Sequence, residues 1–390
     1  MSSAQTPALC LSTNSRLLAI DALRGLVIVL MLLDHVRETF FLHRQVGDPM
    51  DVATTEPALF LSRTLAHLCA PVFVFLTGLS AWLYAEKHPE PGAASRFLLK
   101  RGLVLILLEL TLVNFAWTFS LPPQVIYLQV IWAIGLCMLA LAALLWLPRP
   151  LLVMLGVVLI GGHNLLDGVH FAPGHFAYVP WAVLHDRGWI EVAGDLRLRT
   201  SYPLLPWVGV IALGYAAGPW FGSGASAAQR RPRLLVAGLG ALALFAGLRA
   251  INGYGEKPWQ AGADFTHTVM SLFNVTKYPP SLAFVALTLG MGLCLLVALE
   301  RWQGSRGCRW LATFGAAPMF FYLLHLYVLK LLYLGCYALW GSNQGSWFGF
   351  SQVWMLWLAT LVLAVVLYRP VQAFAELKAR RRDITWLKYF

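Results

Sequence analysis

The chain has 390 residues, of which 59% are hydrophobic and only 12% charged, with a mean hydropathy of +0.67. Soluble globular proteins carry about 25% charged residues, so this composition excludes a soluble domain, and its hydrophobicity excludes a disordered chain. The net charge of +11 does not point to nucleic acid, because the basic residues fall in short segments between apolar runs rather than on one face.

Crossing a bilayer as a helix takes about 20 apolar residues. Ten runs meet or approach that length, at roughly 17–36, 65–85, 97–117, 125–146, 150–163, 203–222, 233–252, 281–299, 318–340 and 352–374. Alternating ten-residue segments are absent, which excludes a membrane β-barrel. The expected fold is all-α: a polytopic membrane helical bundle of about ten transmembrane helices, forming a single domain over 1–390. Lys and Arg in the connections set its orientation. Arg16, Lys87, Arg96, Lys100, Arg101, Arg149, Arg230, Arg231, Arg233, Arg301, Arg306, Arg309 and the tail from Arg369 to Lys388 fall on one side, in two-to-one excess. Both termini are therefore expected in the cytoplasm, with 1–15 a short cytoplasmic segment and 375–390 a basic tail beside anionic lipid. Residues 1–15 contain no apolar signal region, so the first helix reads as a retained anchor.

The opposite face receives long connections near 37–64, 164–202 and 253–280. His35, His43, His67, His163, His170, His175, His185 and His267 all fall at or near it. Long polar and aromatic loops are more often functional than filler. The six cysteines show no zinc spacing and no pair placed for an extracytoplasmic disulfide, and Cys10 falls on the cytoplasmic side.

Asp21, Arg24, Asp34 and His35 interrupt the first apolar helix, and an ionisable residue within the membrane marks a functional site by default. Eleven residues separate Arg24 from His35, so the two share one helix face about 16 Å apart. A guanidinium suits phosphate, and a histidine suits general-base chemistry. Asp34 is a candidate to orient His35. A long donor with phosphates at one end and a reactive carbonyl about 15 Å away matches both residues, and acyl-coenzyme A is such a molecule. Read as plain structure, Arg24 snorkels to the interface and His35 ends a helix.

Further positions carry weaker expectations. Glu109 and Lys330 fall at matching depth in the third and ninth runs, which favours a buried ion pair. His325 falls at the estimated depth of Arg24 and is a candidate to help it hold a phosphate or adenine group. His163 and Asp167 are four residues apart and are expected to line the acceptor side. No third ligand has a clear spacing, so no metal site is expected. Lys277 and Tyr278 precede the eighth run and are candidates to hold an acceptor or an oxyanion. Trp117, Trp181 and Trp259 are outer-face aromatics that suit sugar rings or the interfacial belt.

Several stretches read together carry a family resemblance: IDALRGLVIVLMLLDHVR at 20–37, LCAPVFVFLTGLSAWL at 68–83, LLKRGLVLILLEL at 98–110 and GGHNLLD at 161–167. YPLLPWVGVIALGYAAG at 202–218, NVTKYPPSL at 274–282 and FGAAPMFFYLLHLYVLK at 314–330 continue the series. The chain resembles the bacterial branch of the heparan-alpha-glucosaminide N-acetyltransferase-like membrane proteins, relatives of the acyltransferases that O-acetylate bacterial surface sugars. The resemblance implies transfer of an acetyl group from cytoplasmic acetyl-CoA to an extracytoplasmic carbohydrate-like acceptor, in a multi-pass protein of the bacterial inner membrane. The sugar O-acetylating relatives carry an Arg and a catalytic His at the spacing of Arg24 and His35. In the lysosomal glucosaminide enzyme an Asn stands in place of His35 and the catalytic His lies further along. That makes His43 a second candidate base, although its spacing does not match.

The leading expectation is thus an acetyl-CoA-dependent acyltransferase, with membrane lipid around it and a homo-oligomer compatible with the sequence. A transporter for a small polar or anionic solute would also explain the intramembrane charges. The missing repeat symmetry argues against it.

Overall fold

The computed structural model describes residues 15–390, and the remainder of the amino-terminal segment, with Cys10, lies outside the described residues. Helix α1 spans Ser15–Phe40, α2 Pro57–Ala66, α3 Cys69–Lys87, α4 Ala93–Leu108 and α5 Asn114–Thr118. Then come α6 Val130–Leu144, α7 Arg149–Gly162, α8 Tyr178–Leu184, α9 Leu204–Ala216 and α10 Ala227–Ile251. The last third holds α11 Phe265–Phe273, α12 Leu282–Arg301, α13 Arg306–Ala316, α14 Pro318–Trp340 and α15 Val353–Arg380. Serine caps start several of these where the apolar periodicity begins: the Ser281 hydroxyl accepts from the Phe284 amide at 2.9 Å to open α12, and Ser305 accepts from Cys308 at 3.1 Å to open α13.

Each of the ten expected runs contains a helix, and the protein is a membrane-embedded, multi-pass helical bundle. Among the described residues, six spans are long and apolar enough to cross a bilayer: Pro57–Lys87, Arg149–Leu166, Ala227–Ile251, Leu282–Arg301, Pro318–Trp340 and Val353–Arg380. Helices α6 and α9 are apolar but shorter, and α1 carries Asp21, Arg24, Asp34 and Arg37. The outer helices present apolar side chains outward, among them Met154 and Val157 on α7, Val236 on α10 and Leu361 and Val365 on α15. Exposed aliphatic surface of this extent suits contact with lipid.

The fourth run starts later than expected. Residues 125–128 are extended because they pair with the loop that precedes α9. Strands β1 Val125–Leu128, β2 Trp189–Ala193 and β3 Leu196–Thr200 form a sheet in the order β1-β3-β2, with β1 parallel and β2 antiparallel to β3. The β2–β3 turn passes through Gly194 at φ +58°. Asn114 docks the sheet, donating to the Val125 carbonyl at 3.1 Å and accepting from the Tyr127 amide at 3.0 Å.

Helix α1 lies at the centre, packed against α3, α12, α13, α14 and α15. Its tightest neighbour is α13. A Cβ on Gly25 would lie 1.8 Å from the Leu311 carbonyl oxygen, and one on Gly315 would lie 1.9 Å from that of Asp21. Backbone meets backbone there, which only glycine permits. The connections 41–56, 163–203 and 252–281 gather at one end of the bundle, tied by Met50 to Asn274 and by Asn164 to Leu282.

The expected Glu109–Lys330 ion pair is not formed. Glu109 sits in a wide turn, Glu109–Val113, between α4 and α5, and is fully buried. Its carboxylate accepts from the amides of Gln129 at 3.3 Å and Trp132 at 3.2 Å, at the start of α6. Lys330 instead donates to the Trp117 carbonyl at 3.2 Å, where α5 ends, and lies over the Phe119 ring. Each charge satisfies a helix end with orphaned backbone groups, an acid at an N-terminus and a base at a C-terminus. Depth alone could not distinguish this from a pair.

Candidate active site

Two adjacent cavities lie beside α1. The first, at the end remote from the gathered loops, is lined by Asp21, Arg24, Lys87, Arg101 and Lys378 together with Ser80 and Tyr84. The second, a chamber of about 120 Å³, is lined by Asp34, His35, Cys69, Tyr202, Lys277 and Tyr322. Phe73, Thr77, Arg101, Met138 and Pro318 line both, so the two cavities share a wall along the face of α1. Arg24 lines the first and His35 the second.

At the basic end, Arg24 donates to Asp21 at 2.5 Å and to the Ser80 hydroxyl at 2.5 Å. Lys378, from α15, donates to the carbonyls of Ala316 at 3.2 Å and Phe390 at 2.8 Å. Arg101 and Lys378 were missed by sequence reasoning, which read both as topology determinants. Their place in the basic cavity depends on helix packing that spacing within one helix does not reveal.

At the chamber end, His35 Nδ1 lies 2.6 Å from His325 Nε2, and His325 Nδ1 lies 2.7 Å from the Phe321 carbonyl. A carbonyl only accepts, so His325 Nδ1 carries the proton and, in a neutral ring, its Nε2 accepts. His35 Nδ1 must then donate, which leaves the His35 Nε2 lone pair free. The two rings are nearly coplanar, at 4° to one another, and Trp117 and Tyr322 close around His35 edge-on at 5.2 and 5.9 Å between centroids.

This arrangement corrects two expectations. His325 does not line the cavity with Arg24; its ring hydrogen-bonds His35. Helix α13 occupies the stretch of α1 around Asp21–Gly25, so α14, starting only at Pro318, faces α1 further along. Asp34 does not orient His35 either. It accepts from Arg37 Nε at 3.0 Å and Arg63 Nη1 at 2.5 Å. Arg63 also binds Asp48, whose other oxygen lies 3.0 Å from His67 Nε2. The Asp48 carboxyl is buried, which raises its pKa, but Arg63 and the His67 bond outweigh this and hold it well below the usual range. His43 does not line the chamber; its ring tilts against Phe41 at 4.7 Å.

Lys277 lines the chamber and is 5% exposed. Its ammonium lies 5.1 Å from the Tyr278 ring centroid. Burial lowers its pKa, but Tyr278, Asp34 and Asp48 overcome this and leave it raised, so it stays charged. Tyr278 donates to the Tyr202 hydroxyl at 3.3 Å and carries Arg187 over its ring at 4.4 Å. Thr276 and Pro279 of the same segment face a separate outer cavity lined by Asp167, His170, His185 and Glu256. His163 and Asp167 belong to that outer side and do not line the chamber. Trp181 and Trp259 are tied to backbone carbonyls of Val169 and Arg249.

The chamber thus holds a buried imidazole with a free lone pair and a buried cation, and it adjoins a basic cavity. The model of the heparan-alpha-glucosaminide N-acetyltransferase catalytic domain matches residues 16–254. The chain belongs to this acetyltransferase family. A comparison with curated proteins finds no match. Family membership makes this an enzyme of the acetyl-CoA-dependent, membrane acyltransferase class. Within the acetyltransferase, Arg24, His35 and Arg101 fall inside the matched range, while Lys277, His325 and Lys378 lie beyond it and are assigned from geometry alone.

Proposed function

We propose that the enzyme moves an acetyl group from cytoplasmic acetyl-CoA to a hydroxyl or amine of an extracytoplasmic sugar, in a bacterial inner membrane crossed about ten times with both termini inside. The observation that carries this reading is the adjacency of the basic cavity of Arg24, Arg101 and Lys378 to the chamber of His35 and Lys277, with Arg101 lining both. The donor phosphates bind at the basic mouth, where always-charged guanidinium groups suit them. The separation of Arg24 from His35, about 16 Å along the helix, then places the thioester in the chamber.

His35 Nε2 takes the proton from the acceptor hydroxyl or amine as that atom attacks the thioester carbonyl. The developing oxyanion lies against the Lys277 ammonium, in a water-poor chamber where such stabilisation is strongest. Collapse breaks the carbon–sulfur bond, and the departing thiolate takes the proton held by His35. His325 accepts from His35 Nδ1 throughout, so that the proton gained and lost in the cycle is always the one on Nε2. Tyr202 and Tyr278 border the acceptor, with His163 and Asp167 bracing the outer loops.

The reading is tested by following coenzyme A release in proteoliposomes supplied with acetyl-CoA and a panel of amino and neutral sugars. Sugar-dependent release that His35→Ala abolishes, with expression and monodispersity intact, is the expected result. Full turnover in that variant would refute the assignment.

A further inference from the structure

We propose that His163, Asp167 and His185 form a binding site for a divalent transition-metal ion of the zinc class, at the loop-rich end of the bundle. The site is separate from the acyl-transfer chamber and does not rest on that reading. One donor atom from each of the three side chains lies within 4.8 Å of the other two. His163 and Asp167 are one helical turn apart at the end of α7, and His185 is delivered by the end of α8, its ring 5.6 Å from that of His163.

The hydrogen bonding around His163 is that of a prepared ligand. His163 Nε2 lies 2.9 Å from the Pro280 carbonyl, so it carries the proton and leaves Nδ1 with a lone pair. His163 is 3% exposed, and Nδ1 has no hydrogen-bond partner. A buried acceptor without a donor calls for an explanation, and an absent ion is one. A metal-binding imidazole characteristically donates its other N–H to a carbonyl or carboxylate, as His163 does to Pro280. His185 has Nε2 at 3.4 Å from Asp167 Oδ1 and Nδ1 at 3.4 Å from Asp186 Oδ1. His185 Nε2 donates to the His163 carbonyl at 3.0 Å, so metal binding shifts that proton to Nδ1, facing Asp186, and exchanges the carbonyl bond of Nε2 for the metal bond. The second oxygen of Asp167 accepts from Asn164 at 2.9 Å.

Two imidazoles and one carboxylate match zinc, with bonds of about 2.0–2.2 Å. Reaching that geometry from the present separations requires side-chain shifts of about 1 Å. Three protein ligands leave the fourth position open. Asp167 and His185 also line the outer cavity with His170, Asp186 and Glu256, so water or a hydroxyl can reach that position. The ion would clamp the segments at 163–167 and 185–186 together. Through His163 it would also hold Pro280, three residues from Lys277.

Tag-free, full-length protein in detergent, stripped with chelator, is titrated with Co²⁺ and then challenged with Zn²⁺. The expected result is a visible ligand-field band that saturates at one equivalent, is displaced by Zn²⁺, and accompanies a rise in melting temperature. Asp167→Asn and His185→Gln should abolish the band. Asp186→Asn, which alters an outer partner, should weaken binding by about 10–100-fold. His267→Gln, which disrupts only the exposed pair with Asp264, should leave binding unchanged. Wild-type protein showing no saturable band overturns the proposal, even if the variants fail to fold. So does undiminished binding in both ligand variants.

Discussion

Arg63 joins Asp34 and Asp48, two buried carboxylates that without it would keep only Arg37 and His67, respectively, as partners. Breaking such a group by removing one partner costs about 3–5 kcal/mol. Arg63→Ala is therefore expected to lower stability by about that amount in thermal unfolding. Arg63→Lys should restore little, because an ammonium cannot serve two carboxylates in the planar fork geometry. The His35–His325 contact has a different signature. His325→Leu should lower kcat while leaving KM for acetyl-CoA unchanged, and His325→Gln, which can both accept from His35 and donate to Phe321, should recover part of the loss. An unchanged kcat in His325→Leu would remove the orienting role. At this scale the sequence revealed the pairing of Arg24 and His35 on one face, because 3.6-residue periodicity is enough to establish it. It did not reveal His325 as a partner of His35, because its depth was counted from Pro318 as though α14 began at the membrane surface. Nor did it reveal Arg63, which reaches Asp34 only when α2 folds against α1.

Helices α1 and α13 touch backbone to backbone at Gly25 and Gly315. This fixes where α14 starts and hence which residue of α1 His325 meets. Gly25→Ala puts a methyl group into the Leu311 carbonyl, and overpacking of this kind costs about 1–3 kcal/mol or more. It should lower the melting temperature and impair activity together, because the helices must part. Gly247→Ala, on α10 with nothing within 4 Å of the added carbon, should be neutral or slightly stabilising and serves as the control. Glu109 and Lys330 allow a second test between elements. As separate caps of α6 and α5 they should not compensate each other, so Glu109→Lys combined with Lys330→Glu should be at least as unstable as the worse single variant. Recovery in the double variant would mean that they pair. The ten hydrophobic runs were legible because lipid demands length and apolarity. The β1 segment was not, because four apolar residues read alike as strand or helix until the β2–β3 hairpin supplies a partner.

Across the whole molecule, a basic cavity and a loop-rich end lie at opposite ends of α1, and the reading of function depends on which compartment each faces. Cysteine replacements at Gly194, in the β2–β3 turn, and at Gly304, between α12 and α13, should differ in intact cells. A membrane-impermeant thiol reagent should label the first and not the second; the reverse pattern would invert the proposed orientation. The outer metal site lay beyond sequence reasoning because its third ligand, His185, comes from a separate segment with no recognisable spacing to the others. The most direct test of the central claim is the thermal stability of purified protein with and without acetyl-CoA, in wild type and in Arg24→Ala and Arg101→Ala. A ligand that binds only the folded state must raise the melting temperature. A rise in wild type that is reduced or lost in both variants is the predicted result. No rise at millimolar acetyl-CoA, or an equal rise in all three proteins, would contradict a donor site at the basic mouth.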